Sequence, residues 1–185
     1  NMERIAKRYY YSGLYSPYVL QYNYNELQGM EENGIYIGNG DAILIPKWIM
    51  QYAKGLHRDK AIVCMSFLAL KHYREYIFRK LGVEMPEFKE EKTQADYDEN
   101  VFRAVEALRK GTKRPTYFSS FNGVEINKPW EDKLYNEGLT LKYSDKPYDN
   151  FAVKRSNVEE RYLLEYLIES FSPNKWDSGN RLNAN

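Results

Sequence analysis

The sequence predicts an α/β fold, a Rossmann-like layered domain with a mainly parallel sheet of about four strands flanked by helices. Three observations carry that prediction. Short apolar runs bounded by glycine or turn residues recur at 34–38, 61–65, 115–119 and 139–143. The stretches before and between the first three runs carry apolar residues at helical spacing, and strands alternating with amphipathic helices fold as layers around a parallel sheet. No internal repeat and no clear boundary divides the chain, so residues 1–185 read as one domain.

Taken in order, Ser16-Pro17 supplies an N-cap and a proline at the first helical position, opening a helix to about Glu32 that Asn33-Gly34 ends. Gly34-Ile35-Tyr36-Ile37-Gly38 is a buried strand, and Gly38 to Asp41 a turn. Proline is tolerated in the first helical turn but not further inside, so the next helix should begin near Pro46, leaving 41–45 as an irregular loop. Gly55 stops that helix, and Ala61 to Met65 is the second strand. Ser66 caps a helix over 67–81 with Leu70, Tyr73, Ile77 and Leu81 on one face, and Gly82 ends it. Glu87 to Asp96 is a solvated loop, Asp98 to Lys110 a helix with Val101, Ala104, Val105 and Leu108 inward. Pro115 to Ser119 and Leu139 to Tyr143 give the third and fourth strands. A last helix covers Val158 to Phe171, with Tyr162, Leu163, Tyr166 and Leu167 inward.

Composition narrows the function classes. Lys plus Arg is 27 and Asp plus Glu is 26, a near-balance with no general attraction for nucleic acid or anionic membrane. The single Cys64 excludes an internal disulfide and a multi-cysteine metal site, and its place within a strand suits an inert buried thiol. Two histidines far apart, His57 and His72, give no zinc pattern. No apolar run approaches the roughly 18 residues of a membrane span, and no signal peptide is visible. Tyrosine is abundant, 18 residues, seven of them between Tyr9 and Tyr24; its apolar body and polar tip suit half-buried helix faces and stacking on sugars alike. Asn1 ahead of Met2 and the Asn-rich end, Asn180 to Asn185, lead to the expectation of a piece of a longer protein, with the tail 172–185 running toward a missing neighbour.

Ligands of open parallel sheets sit beyond the carboxyl ends of the strands. Three segments converge there: Gly38-Asn39-Gly40-Asp41, Ser66, and Ser119-Ser120-Phe121-Asn122. The first is no dinucleotide fingerprint, because the third glycine is replaced by Ile43. Asn39, Gly40, Asp41, Ser119 and Asn122 form the candidate binding surface, with Trp48 or Trp130 as a stacking platform. His57-Arg58-Asp59 belongs to the opposite edge, and Lys110 to Arg114 is a solvated helix end. No acid–base carboxylate pair, nucleophile elbow or phosphate loop is present, so no catalytic residue, cofactor or metal is assigned.

Asn33-Gly-Ile-Tyr-Ile-Gly-Asn-Gly-Asp41 with Pro46-Lys47-Trp48, Gly55 and Asp59 before the strand 61–65, Tyr73, Lys113-Arg-Pro-Thr-Tyr-Phe118 and Glu137-Gly-Leu139 stand in a familiar order. Together they resemble the soluble carboxy-terminal region of the type-C glycosyltransferase-like membrane proteins associated with protein O-mannosylation. The family has Asn-Asp-Thr after its Gly-Asp, an arginine in the following turn and Asn at the end of the second strand. This chain has Ala42-Ile43-Leu44, His57 and Cys64 there. The resemblance implies the fold and an extracytoplasmic, periplasmic setting. It does not imply transferase activity, since the family's catalytic centre lies in a membrane-embedded half that these residues do not include. Contact with a membrane is then expected only through that missing part.

The leading expectation is a non-catalytic accessory domain that binds a glycan or a protein partner. The alternatives are a glycosyltransferase-related enzyme using a nucleotide- or lipid-linked sugar through Asp41, and a structural module packing on a following helical domain.

Overall fold

The computed structural model describes residues 2–165 of the chain. One five-stranded sheet, of order β2-β1-β3-β5-β4, is built from β1 (Ile35–Gly38), β2 (Ala61–Cys64), β3 (Thr116–Ser119), β4 (Leu134–Asn136) and β5 (Thr140–Tyr143). β1 is parallel to β2 and β3, whereas β5 is antiparallel to β3 and to β4. The α/β class stands, but the sheet is mixed and has five strands, not four mainly parallel ones. The cause is local. Glu137-Gly138-Leu139 links β4 to β5, and so short a turn joins only antiparallel neighbours; Gly138 takes φ 122° there. β4 has three residues, too few to display an alternating pattern.

The helices are α1 (Met2–Tyr11), α2 (Pro17–Gln28), α3 (Asp41–Ile49), α4 (Lys71–Leu81), α5 (Gln94–Gly111), α6 (Val124–Asn127) and α7 (Asn150–Ser156). Strand side chains alternate between two cores. Tyr36, Ile62, Cys64 and Tyr117 face Leu27 and Met30, within and just after α2, and Leu44 and Met50 from α3 and its continuation. Ile35, Ile37, Val63 and Phe118 face Ile77 and Phe78 of α4, Val101, Ala104, Val105 and Leu108 of α5, and Trp130. The β1-to-β2 crossover through α3 covers one face; the β2-to-β3 crossover steps back over β1 and covers the other. Direction and face reverse together, so both crossovers share one hand, as parallel connections do.

Four expectations need correction. The second helix begins at Asp41, not near Pro46, and residues 41–45 are its first turns. Pro46 therefore sits inside it and lacks the N–H that would bond Ala42 C=O. Ala42 is exposed, so water can serve that carbonyl. The ladder then loosens into a π turn over Met50–Lys54, closed by Gly55 at φ 73°. The helix expected over 67–81 is broken at Leu70, which is extended and 59% exposed. The break sets Tyr73 to receive the Cys64 N–H at 2.9 Å, while Arg74 donates to Leu68 C=O at 3.1 Å. Helix α5 starts four residues early, at Gln94, because Thr93 and Asp96 form a reciprocal capping box. The last expected helix is replaced at its start by a π turn over Asn157–Arg161 and an extended Tyr162; Tyr166 and Leu167 lie outside the described residues. Helix α1 has no counterpart among the expected elements; it packs on the 50–54 turn with Lys54 over the Tyr10 ring at 5.0 Å.

Two buried asparagines hold extended chain by its backbone. Asn100 accepts the Lys89 N–H at 3.0 Å and donates to the Lys89 C=O at 2.9 Å. Asn25 does the same to Leu163, at 2.9 and 2.7 Å. No helix among the described residues is long and apolar enough to cross a membrane.

At the amino ends of the strands, Asp59 accepts the Asn33 N–H at 2.9 Å, and the Arg114 guanidinium donates to the carbonyls of Asn33 and Asp59. Arg114 thus straps three strands together instead of ending a helix in solvent. His57 holds φ 51° beside them. Its Nε2 is buried without a hydrogen-bond partner, and burial with the nearby Lys60 charge pushes its pKa down to about 4. A depressed histidine contributes stability above its unfolded pKa of about 6.5 and loses it as pH falls toward 4, because the unfolded chain binds the proton first. His57→Asn, which tolerates positive φ, should therefore flatten the acid limb of stability between pH 6.5 and 4 in urea melts. Parallel wild-type and variant curves would sink this account.

Candidate functional site

The three strand-end loops meet as the sequence implies, and asparagine side chains tie them together. Asn122 Oδ1 accepts the Asn39 N–H at 2.9 Å, while Asn122 Nδ2 donates to Ile37 C=O and to Asn127 Oδ1, both at 3.2 Å. Asn39 Oδ1 receives the Ser66 N–H at 3.2 Å, and Asn127 donates to Ser119 C=O at 3.1 Å. Ser119 is fully buried and its Oγ accepts the Phe121 N–H at 3.1 Å. The chain leaves β1 toward one face and β3 toward the other, which is the switch-point geometry where such sheets take ligands. Here the asparagines fill the crevice itself, and clefts open on either side.

Of the other sequence-derived candidates, Gly40 takes φ 97° as the residue before α3, and Asp41 is exposed in the first turn of that helix. Trp48 is half-buried against the core of Leu27, Met30 and Tyr36. It is not brought to the strand ends. Trp130 lies buried between Phe102, stacked at 5.2 Å, and Phe118 at 4.8 Å, with its Nε1 donating to Glu106 at 2.7 Å.

On the α5 side, a cleft of about 410 Å³ lies between Asn39, Ser66, Tyr97, Asp98, Phe102 and Trp130. Phe102 and Trp130 stack on each other, the Tyr97 hydroxyl donates to Ser66 C=O at 3.1 Å, and the cleft's carboxylates, Asp98 and Glu125, are exposed. The cleft on the α2 side, about 350 Å³, is built differently. Tyr18, Tyr22 and Glu26 follow one another at four-residue spacing along α2, with Val19 and Asn23 in the adjacent row. Ala42 and Ile43 from α3 and Phe121 from the loop after β3 close the opposite side. Tyr22 and Phe121 meet at 5.7 Å between ring centres. Volume and lining fit small-ligand sites, which are apolar with a few placed polar groups.

The polar groups form the floor. Lys47 is wholly buried and its Nζ donates to Glu26 Oε2 at 2.6 Å, Asn23 Oδ1 at 2.6 Å and Ile43 C=O at 2.8 Å. Three donors meet three acceptors, the pattern of an ammonium. Glu26, 1% exposed, also receives the Tyr36 hydroxyl at 2.9 Å on Oε1. Burial pushes the Glu26 carboxyl up and the Lys47 amine down, and the attraction between the two charges opposes both shifts. Burial also raises the Tyr22 phenol, which stays neutral. Each Glu26 oxygen has accepted one hydrogen bond and retains a second lone pair; Asn23 Nδ2 has given one N–H to Val19 C=O at 2.8 Å and retains another.

Sequence reasoning missed this floor. The available signal was Lys47 alone in the apolar stretch from Ala42 to Met50; Glu26, among the polar residues Asn23, Asn25 and Gln28, gave none, and nothing in the spacing showed that the two pair. Among the described residues no group of three or more His, Cys, Asp or Glu is placed to hold a metal ion. Comparisons with models of known families, with curated proteins and with solved structures find no match to this chain.

Proposed function

We propose that this domain is a non-catalytic binding module whose ligand is a saccharide, held in the α2-side cleft. The observation that carries the reading is the floor: two polar side chains more than nine-tenths buried, Glu26 and Asn23, with hydrogen-bonding capacity left over. Both have partners, as buried polar groups do; the capacity they keep, beneath aromatic walls, suits a ligand that brings its own hydroxyls. Tyr18, Tyr22 and Phe121 offer ring faces and edges for the apolar face of a sugar.

Binding is favoured over catalysis because all three Lys47 N–H groups are engaged by protein acceptors, and because Glu26 is the one carboxylate among the described residues lining the cleft. Glycoside hydrolysis by the usual two-carboxylate route needs a pair. The extracytoplasmic setting belongs to the same proposal and is supported by the motif resemblance alone.

Phe121 is 61% exposed, so Phe121→Ala should leave stability within about 1 kcal/mol of wild type. It should weaken saccharide binding about tenfold, equivalent to about 1.4 kcal/mol. Titration calorimetry or ligand-observed NMR with a panel of methyl glycosides checks this. No binding by any glycoside, or binding that Phe121→Ala leaves intact, would remove the cleft as the site.

A further inference from the structure

The hydrogen bonds of the floor say what kind of saccharide fits. Behind the cleft Lys47 has engaged all three of its N–H groups, so no cationic donor points into the space. Among the residues that line the cleft are Glu26, each of whose oxygens has accepted one hydrogen bond, and Asn23, whose Nδ2 has given one of its two N–H groups. Among the described residues that line the cleft there is no Lys, Arg or His. The start of α3 reaches the rim through Ala42 and Ile43, and a helix start attracts anions. Asp41 already occupies that first turn with its own carboxylate, which satisfies the dipole and repels a second negative charge.

We infer that the cleft selects an uncharged saccharide, which donates two neighbouring hydroxyls to the two Glu26 oxygens, and that it excludes phosphorylated sugars. This rests on the reading of the cleft as a saccharide site. A phosphate placed on the floor meets Glu26 with no cation free to neutralise it, and an unpaired charge taken out of water is strongly disfavoured. A diol meets the two acceptors without such a cost. The Glu26–Lys47 pair is neutral as a unit, so nothing in the floor calls for a charged ligand of either sign. The same chemistry argues against nucleotide-sugar and polyprenyl-phosphate-sugar donors at this position, since both carry their charge next to the sugar.

The test needs no variant at the buried pair. Wild-type protein is titrated with methyl hexopyranosides, their 6-phosphates and the matching 1-phosphates at constant ionic strength, and with deoxy glycosides lacking one of two vicinal hydroxyls. Asp41→Asn and Phe121→Ala are run alongside. The neutral glycosides should bind at least tenfold more tightly than either phosphate, and one deoxy position should cost about tenfold. Asp41→Asn should narrow the gap by strengthening phosphate binding while leaving the neutral ligand unchanged. Phosphates that bind as well as the neutral sugars through the Phe121 wall would overturn the charge selection and leave the site reading standing. Indifference to every deoxy position would overturn the diol contact. Binding that ignores Phe121→Ala would overturn the site itself.

Discussion

Lys47→Met should cost the fold about 3–5 kcal/mol, because it leaves the Glu26 carboxylate buried without its counter-charge. For a chain of this size that is a fall in Tm of roughly 10 °C or more. The deficit should depend on pH in a defined direction. Without Lys47, Glu26 keeps its proton in the folded state to higher pH than in the unfolded chain. The loss is therefore smallest below the unfolded value of about 4.3 and grows as pH rises from there through the elevated folded pKa. Removing both partners, Lys47→Met with Glu26→Leu, should recover most of the loss, since an apolar pair of similar volume leaves no stranded charge. Urea melts of the two single variants and the double variant at pH 4 and pH 7 decide the matter. A single variant as stable as wild type at pH 7 would show that the pair contributes little.

Asn122→Ala should be nearly as damaging, by about 2–4 kcal/mol. It removes the acceptor of the Asn39 N–H and the donor to Ile37 C=O, two partly or wholly buried groups that each cost about 1–3 kcal/mol when left unmet. Asp41→Ala, by contrast, alters an exposed side chain and should move stability by no more than about 0.5 kcal/mol. The contrast separates the roles of two residues in the same loop cluster. Asn122 is a clamp that ties the loop after β3 to the carboxyl end of β1, and Asp41 stands exposed in the first turn of α3. Thermal melts showing Asn122→Ala as stable as wild type would refute the clamp.

The parts of the fold that were legible in sequence are those where one short-range signal acts alone. Ser16-Pro17 opens α2, with Ser16 Oγ accepting the Val19 N–H, and the four-residue strands β1, β2 and β3 read as apolar runs because both faces are covered. Pro46 misled because its local cost is offset by tertiary packing: it is buried with Leu44 and Ile49, and the helix it interrupts carries Lys47 to Glu26. Leu70 misled for the converse reason, since its helical spacing hid a break required by the reach of Tyr73 to β2. The strand-end asparagines were legible as a cluster but not as partners for one another. The floor of the cleft was not legible, because Glu26 and Lys47 are 21 residues apart on different helices, and a buried ion pair leaves no periodic trace.

The backbone clamps of Asn25 and Asn100 carry an evolutionary consequence. A side-chain amide that engages both the N–H and the C=O of one residue reads position and ignores side-chain identity. Drift at Lys89 and Leu163 is then constrained by what neighbours there require, and by one absolute demand from the clamp, an N–H to give. Nearly any residue can be accepted at those two sites on that count, whereas proline, which has no such group, is shut out. The composition of the tethered segments can wander while their docking points on α5 and α2 stay where they are.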